Sequence, residues 1–124
     1  MTVRLEVCID CRDPQALVPF WLATLGYAQS RGDGDPYIDL VPDDPRDPVV
    51  FLQRTSEEKH GKNRVHLDVY VPEPQALVDR LVALGATRLG APRGEGDGWY
   101  QVLADPEGNE FCVCKEAGGA TPPA

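Results

Sequence analysis

An internal repeat restricts the possible folds of this sequence more than any other feature. Three short motifs of the first half return in the same order in the second half, each about 60 residues later. The matching pairs are residues 14–18 and 74–78 (both PQALV), 25–26 and 84–85 (both LG), and 31–35 and 93–97 (RGDGD and RGEGD). Two similar modules packed around a pseudo-twofold axis are therefore predicted, with a ligand cleft lined by equivalent positions of both halves.

Length and charge narrow the class of protein. The 124 residues suffice for one compact domain, whereas half of that length is marginal alone, so we expect the modules to share one core. The net charge of −8 argues against nucleic acid or an anionic membrane surface as a partner. No apolar run approaches the roughly 20 residues of a membrane span. The first residues lack the apolar region of a signal peptide, which predicts a cytoplasmic protein.

The first module, at about residues 3–54, reads as a strand, a helix and further strands. The predicted elements are a strand over residues 3–10, a helix between Asp13 and Gly26, and strands near residues 37–41 and 49–54. Asp13 is a suitable N-cap, Pro14 suits the first helical position, and Gly26 suits the C-cap. Pro19 lies deep in this helix, so we expect the helix to start late or to kink there. In the first strand, Leu5, Val7 and Ile9 share the apolar face, and Glu6, Cys8 and Asp10 share the polar face.

A polar linker at about residues 55–63 precedes the second module, at about residues 64–116, which repeats this order. The predicted elements are a strand over residues 64–71, a helix ending at Gly85, and strands over residues 99–104 and 110–115. His66, Asp68 and Tyr70 form the polar face of the first of these strands. We expect the apolar faces to cover the helices and the polar faces of both modules to line a cup. Residues 1–116 would form this single domain, and residues 117–124 a flexible tail.

The repeat suggests a metal site. With an offset of about 60 residues, Glu6 corresponds to His66, and Cys112 maps back to Gln53 or Leu52. Glu6, Gln53, His66 and Cys112 thus form a candidate quartet from the first and last strand of each module. Carboxylate, imidazole and thiolate groups bind divalent transition metals, and a carboxamide oxygen binds them weakly. Glu110, two residues before Cys112, is expected to point to the other face.

These residues lead to a family resemblance. The matching segments are residues 13–14 (DP), 20–21 (FW), 25–27 (LGY), 64–68 (RVHLD), 84–86 (LGA) and 105–111 (DPEGNEF). In them the chain resembles the vicinal oxygen chelate superfamily, which includes glyoxalase I, extradiol dioxygenases and bleomycin-resistance proteins. The resemblance implies an α+β fold in which two tandem βαβββ modules form a cup-shaped mixed sheet with helices outside, and it implies a homodimer. It also implies metal ligands at Glu6, Gln53, His66 and Cys112. Only His66 is the family's usual residue at its place, so glyoxalase I activity is not implied.

The functional hypothesis is a glyoxalase-like, metal-dependent lyase or isomerase acting on a small oxygenated metabolite. Glu6 and His66 would be its catalytic groups, and zinc, nickel, manganese or iron its metal. Asp68, Tyr70 and Trp99 are expected to contact the substrate. One alternative is a metal-free protein that sequesters antibiotics, as bleomycin-resistance proteins do, and another is a metal-free enzyme with Glu6 or His66 as general base.

The four cysteines leave one further alternative. Cys8, Cys11, Cys112 and Cys114 are expected to be thiols in a cytosolic protein. A structural zinc ion held by all four would need tight loops at both pairs, whereas the pattern predicts strands there.

Overall fold

The computed structural model describes residues 1–117 and divides the chain into two compact units, Met1–His60 and a second that begins at Gly61. The elements of the first unit are β1 (Glu6–Cys11), α1 (Pro14–Leu25), β2 (Gln29–Arg31), β3 (Tyr37–Val41) and β4 (Val49–Arg54). Those of the second are β5 (Leu67–Val71), α2 (Pro74–Ala83), β6 (Thr87–Arg88), a 3-10 turn (Gly96–Gly98), β7 (Tyr100–Ala104) and β8 (Glu110–Lys115). The predicted α+β fold with two βαβββ modules in tandem is confirmed.

Each unit contains a four-stranded mixed sheet with the same topology. The strand orders are β1-β4-β3-β2 and β5-β8-β7-β6. The first and last strands of each unit are parallel neighbours, and the remaining pairs are antiparallel. Polar side chains on the first strand of a unit therefore lie directly beside those on its last strand. The cup that was predicted from both modules together, and the domain boundaries that go with it, stay predictions.

Helix α1 begins and ends at the residues that the sequence indicates. The Asp13 side chain accepts a hydrogen bond from the Ala16 N–H at 3.3 Å, and Gly26 ends the helix with a left-handed φ of 70°. The helix starts at Pro14 and continues through Pro19, so a late start is wrong. Pro19 removes only one backbone donor, while buried side chains such as Phe20 and Trp21 anchor this segment to β3 and β4.

The core of the second unit lies between α2 and its sheet. Leu81 of α2, Leu103 of β7 and Phe111 and Val113 of β8 are each 0% exposed. Burial of this apolar surface holds the helix against β8 and β5. Across the described residues, 1–117, neither helix has the length and apolar character needed to cross a bilayer. The predicted tail, Ala117 excepted, lies outside the described residues.

Strands β1, β5 and β7 start later than predicted, β7 by one residue, at Tyr100. Strand β1 starts at Glu6 rather than at residue 3, because β4 begins at Val49, directly opposite Glu6, and gives earlier residues no partner. Leu5 is accordingly 73% exposed. Strand β5 starts at Leu67, so His66 immediately precedes the strand. The alternation of exposed polar and partly buried apolar residues is confirmed within both strands.

Candidate metal-binding site

Three potential metal ligands of the second unit lie together on the polar face of β5 and β8. His66, Asp68 and Cys112 each offer one ligand atom, and these atoms lie within 4.8 Å of one another. Parallel pairing sets Asp68 directly beside Cys112, so their side chains share one face of the sheet. His66, two residues before Asp68, reaches the same face, where its Nε2 atom lies 3.1 Å from Asp68 Oδ1.

The environment of the cluster keeps its thiol protonated in the absence of a cation. Cys112 is 7% exposed, whereas the side chains of His66 and Asp68 are 42% and 43% exposed. Desolvation raises the pKa of the Cys112 thiol, and the charge of Asp68 and its hydrogen bond to the thiol add to this rise. Desolvation, followed by the charges of Asp68 and Cys112, raises the pKa of Cys114 to about 11. Such thiols are poor nucleophiles, but a metal ion that displaces the proton makes the thiolate a ligand.

A cleft of about 380 Å³ covers this cluster. Its wall includes Tyr70, Trp99 and Tyr100 together with the apolar side chain of Val102. The three residues that were predicted to contact substrate, Asp68, Tyr70 and Trp99, all line this one cleft. The site thus combines polar ligand atoms with an aromatic and apolar wall, which is the usual composition of a small-molecule pocket.

Glu110 also lines this cleft, and the prediction that it points away from Cys112 is wrong. Side chains two residues apart on a strand share a face, so the alternation itself was sufficient to find it. Its carboxylate accepts hydrogen bonds from Lys62 Nζ at 3.2 Å and from the Asn63 backbone N–H at 2.9 Å. With 14% of its side chain exposed, Glu110 is a second acidic group of the cleft.

In the first unit, the two predicted ligands are far apart. Glu6 lies opposite Val49, and Gln53 lies opposite Asp10. Glu6 and Gln53 are therefore separated by four residue steps, or about 13 Å along the strands. Glu6 pairs with Arg4. The structure thus brings His66 and Cys112 together but not Glu6 and Gln53, and the quartet that would combine both modules stays a prediction.

The strand pairing also corrects which residues of the two modules are equivalent. Strand β1 pairs Asp10 with Gln53, whereas β5 pairs Tyr70 with Cys114. Because Asp10 and Tyr70 each lie four residues before the first proline of the following helix, Gln53 corresponds to Cys114. Cys112 then corresponds to Phe51, and its predicted equivalence to Gln53 or Leu52 is wrong. Counted from the first proline of the helix to the paired position of the last strand, the second module is one residue longer, which shifts the offset.

All four cysteines are free thiols, and Cys8 is the exposed one. Its Sγ atom lies 3.5 Å from Asp10 Oδ1 and 3.6 Å from Gln53 Oε1. Desolvation, the charge of Asp10 and the hydrogen bond to Asp10 raise the pKa of the Cys8 thiol to about 11. Cys8 and Cys11 belong to one unit, and Cys112 and Cys114 to the other. A zinc site formed by all four would have to join both units, and it remains an untested alternative.

Comparisons with known proteins identify the family. The family model described as "Glyoxalase-like domain" matches residues 6–114. A glyoxalase/bleomycin resistance protein/dioxygenase family enzyme from Burkholderia phytofirmans PsJN has a similar structure, with a TM-score of 0.70, 24% identity, and coverage of 89% of this chain and 95% of that chain. The fosfomycin resistance protein FosX from Listeria monocytogenes is similar with a TM-score of 0.73, 11% identity, and coverage of 95% of this chain and 96% of that chain.

A mutant of the Listeria protein, crystallised with Mn(II) and 1S,2S-dihydroxypropylphosphonic acid, gives a TM-score of 0.72 at 13% identity, with coverage of 92% of this chain and 90% of that chain. Curated proteins give no significant match. At these identities the solved structures establish the fold alone. The family match over nearly the whole described chain shows that this protein belongs to the glyoxalase-like domain family.

Proposed function

We propose that the protein is a metal-dependent enzyme, a lyase or isomerase, that acts on a small oxygenated metabolite. The observation that carries this proposal is the convergence of His66, Asp68 and Cys112 beneath an aromatic cleft. Imidazole nitrogen, carboxylate oxygen and thiolate sulfur are the usual ligands of zinc and neighbouring divalent metals. Three protein ligands are typical of catalytic metal sites, which keep a position open for water or substrate, whereas structural zinc sites have four.

The side chains around the cluster support a reaction rather than mere metal storage. A bound divalent ion would supply Lewis acidity toward a substrate carbonyl or hydroxyl oxygen. The 3.1 Å contact of His66 Nε2 with Asp68 Oδ1 holds these two proposed ligands close together. Glu110, which Lys62 and Asn63 hold in place, is the carboxylate of the cleft that we propose for proton transfer to or from the substrate.

The aromatic wall defines the other part of the binding site. Tyr70, Trp99 and Tyr100 provide flat, largely apolar surfaces against which the carbon skeleton of a substrate can pack. Of the three proposed ligands, Cys112 at 7% exposed is the one that is shielded from water. The superfamily resemblance further favours a homodimer, which sedimentation analysis would test directly.

The metal content of protein purified without an affinity tag or chelator tests the proposal. Mass spectrometry should find about one equivalent per chain after exposure to zinc, nickel, manganese or ferrous iron. His66→Ala should lose this metal without unfolding, whereas His60→Ala, which removes an exposed histidine of the first unit, should retain it. Metal-loaded protein would then be assayed on a panel of oxygenated metabolites. Absence of metal under every condition, or full retention in His66→Ala, would refute the proposal.

A metal-free sequestering protein is the second candidate, because the cleft combines the Asp68 carboxylate with aromatic walls. A cationic aromatic antibiotic would suit this combination of charge and stacking surface. Calorimetry with a panel of such compounds should then give micromolar or tighter binding that Asp68→Asn weakens. If no compound of the panel gives a calorimetric binding signal and the protein binds metal stoichiometrically, this candidate is excluded.

A further inference from the structure

We infer that the cluster of His66, Asp68 and Cys112 selects zinc, or another divalent ion with affinity for sulfur, over manganese and magnesium. The inference rests on the proposed function, since it specifies the metal of that same site. The residue that determines the choice is Cys112, the sulfur donor of the cluster.

The donor set itself indicates this preference. One nitrogen, one oxygen and one sulfur atom converge within 4.8 Å. In a tetrahedral zinc site, ligand atoms about 2.0–2.3 Å from the ion lie about 3.3–3.8 Å from one another, so the exposed side chains of His66 and Asp68 would move by about 1 Å to bind it. Manganese and magnesium favour sites built from carboxylate, carbonyl and water oxygens, whereas thiolate favours zinc and softer metals.

The surroundings of the cluster strengthen the sulfur character of the site. The backbone of Cys112 is paired on both sides, with β5 at Asp68 and with β7 at Val102. The position from which its side chain projects is therefore fixed by the sheet. Glu110 could supply a further oxygen, but Lys62 and the Asn63 N–H already bind its carboxylate. Recruiting Glu110 as a ligand would break a salt bridge and a backbone hydrogen bond. The available donor set is therefore mixed rather than oxygen-rich.

The metal expected from this donor set differs from the manganese found with a protein of similar fold. The Listeria fosfomycin resistance protein was crystallised with Mn(II), yet it shares only 13% identity with this chain. Such similarity establishes a common fold and leaves the ligand set free to differ. The thiol of Cys112 thus predicts a metal preference that the likeness of folds alone does not.

Cobalt(II) binding and metal competition test the inference. Cobalt-loaded protein should show the near-ultraviolet charge-transfer band of a thiolate bound to cobalt, and zinc should outcompete manganese for the site in the presence of a chromophoric chelator. Cys112→Ser should abolish the band and weaken zinc binding by more than the ~10–100-fold that loss of a group orienting a ligand costs. The same variant should leave manganese affinity nearly unchanged. Cys8→Ser, which removes the exposed thiol of the other unit, is the matched control and should behave as the wild type.

The outcomes separate this inference from the proposed function. Stoichiometric metal without a charge-transfer band in the wild-type protein, or manganese bound as tightly as zinc, would overturn the sulfur-based selection and leave a metal-dependent enzyme standing. A protein that binds no metal at all would overturn both. The wild-type spectrum decides the inference even if Cys112→Ser fails to fold, which circular dichroism would reveal.

Discussion

The thiol of Cys8 should react slowly with alkylating agents although its side chain is exposed. Its pKa is raised from 9.0 to about 11, first by desolvation and then by the charge and hydrogen bond of Asp10. Alkylation proceeds through the thiolate. At pH 8, a thiol with a pKa of 9.0 is ionised to about 10%, and one with a pKa of about 11 to about 0.1%. The folded protein should therefore react at Cys8 about 100-fold more slowly than an ordinary thiol.

Peptide-level mass spectrometry after timed exposure to iodoacetamide would measure this rate in folded protein and in protein unfolded by urea. The folded rate should rise about tenfold per pH unit between pH 8 and pH 10, because the thiolate fraction rises tenfold. Asp10→Asn should accelerate the reaction at pH 8, since it removes the charge but leaves the desolvation. Asp43→Asn changes the net charge equally at an exposed position and should have little effect. Equal rates in the folded and unfolded protein would refute the reasoning.

Three further predictions concern stability, measured as the free energy of unfolding in urea. Phe111→Ala should lower the free energy of unfolding by about 3–5 kcal/mol, because removal of this 0% exposed ring leaves a cavity. If Phe51→Ala, which removes a half-buried ring, lowers the free energy of unfolding as much, this reasoning is contradicted. Asp105→Ala should cost about 1–3 kcal/mol, because its carboxylate accepts hydrogen bonds from the N–H groups of Glu107 and Asn109 in the turn before β8; unchanged stability would show that water replaces them. Stability should also fall as pH rises from about 9 towards 11, because the unfolded chain releases thiol protons near 9.0, whereas the folded-state pKa values of Cys8 and Cys114 are about 11. A Cys8→Ser/Cys114→Ser variant should lose part of this slope, and the same slope in both proteins would contradict the assignment.

Local patterns predicted those parts of the fold that depend on neighbouring residues. Alternation within β1 and β5 identified the polar faces, and the Asp13-Pro14 pair identified the start of α1. The same patterns identified His66, Asp68 and Cys112 separately, because each is a polar or sulfur-containing residue beside an apolar strand face. Their proximity follows from one further fact, the parallel pairing of the first and last strand of a module.

Features that depend on distant residues were predicted less well. The equivalence of Cys112 with Gln53 failed because strand register depends on the number of residues in the intervening loops, and one additional residue shifts it. The alternation of residues 3–5 looks like that of a strand, but pairing stops where the partner β4 stops. Lys62 lies in the predicted linker, and only tertiary structure brings its ammonium group to Glu110.

The parallel pairing of β5 with β8 places equivalent residue pairs at regular intervals on one face of the sheet. Asp68 with Cys112 forms one pair and Tyr70 with Cys114 the next, about 6.6 Å further along the strands. Substitutions that exchange the side chains of two neighbouring pairs would move a group of ligands by this distance and leave the backbone hydrogen bonds unchanged. Two proteins with this scaffold can therefore carry their functional groups at different positions along these strands, and aligned residues in the two need not share a role.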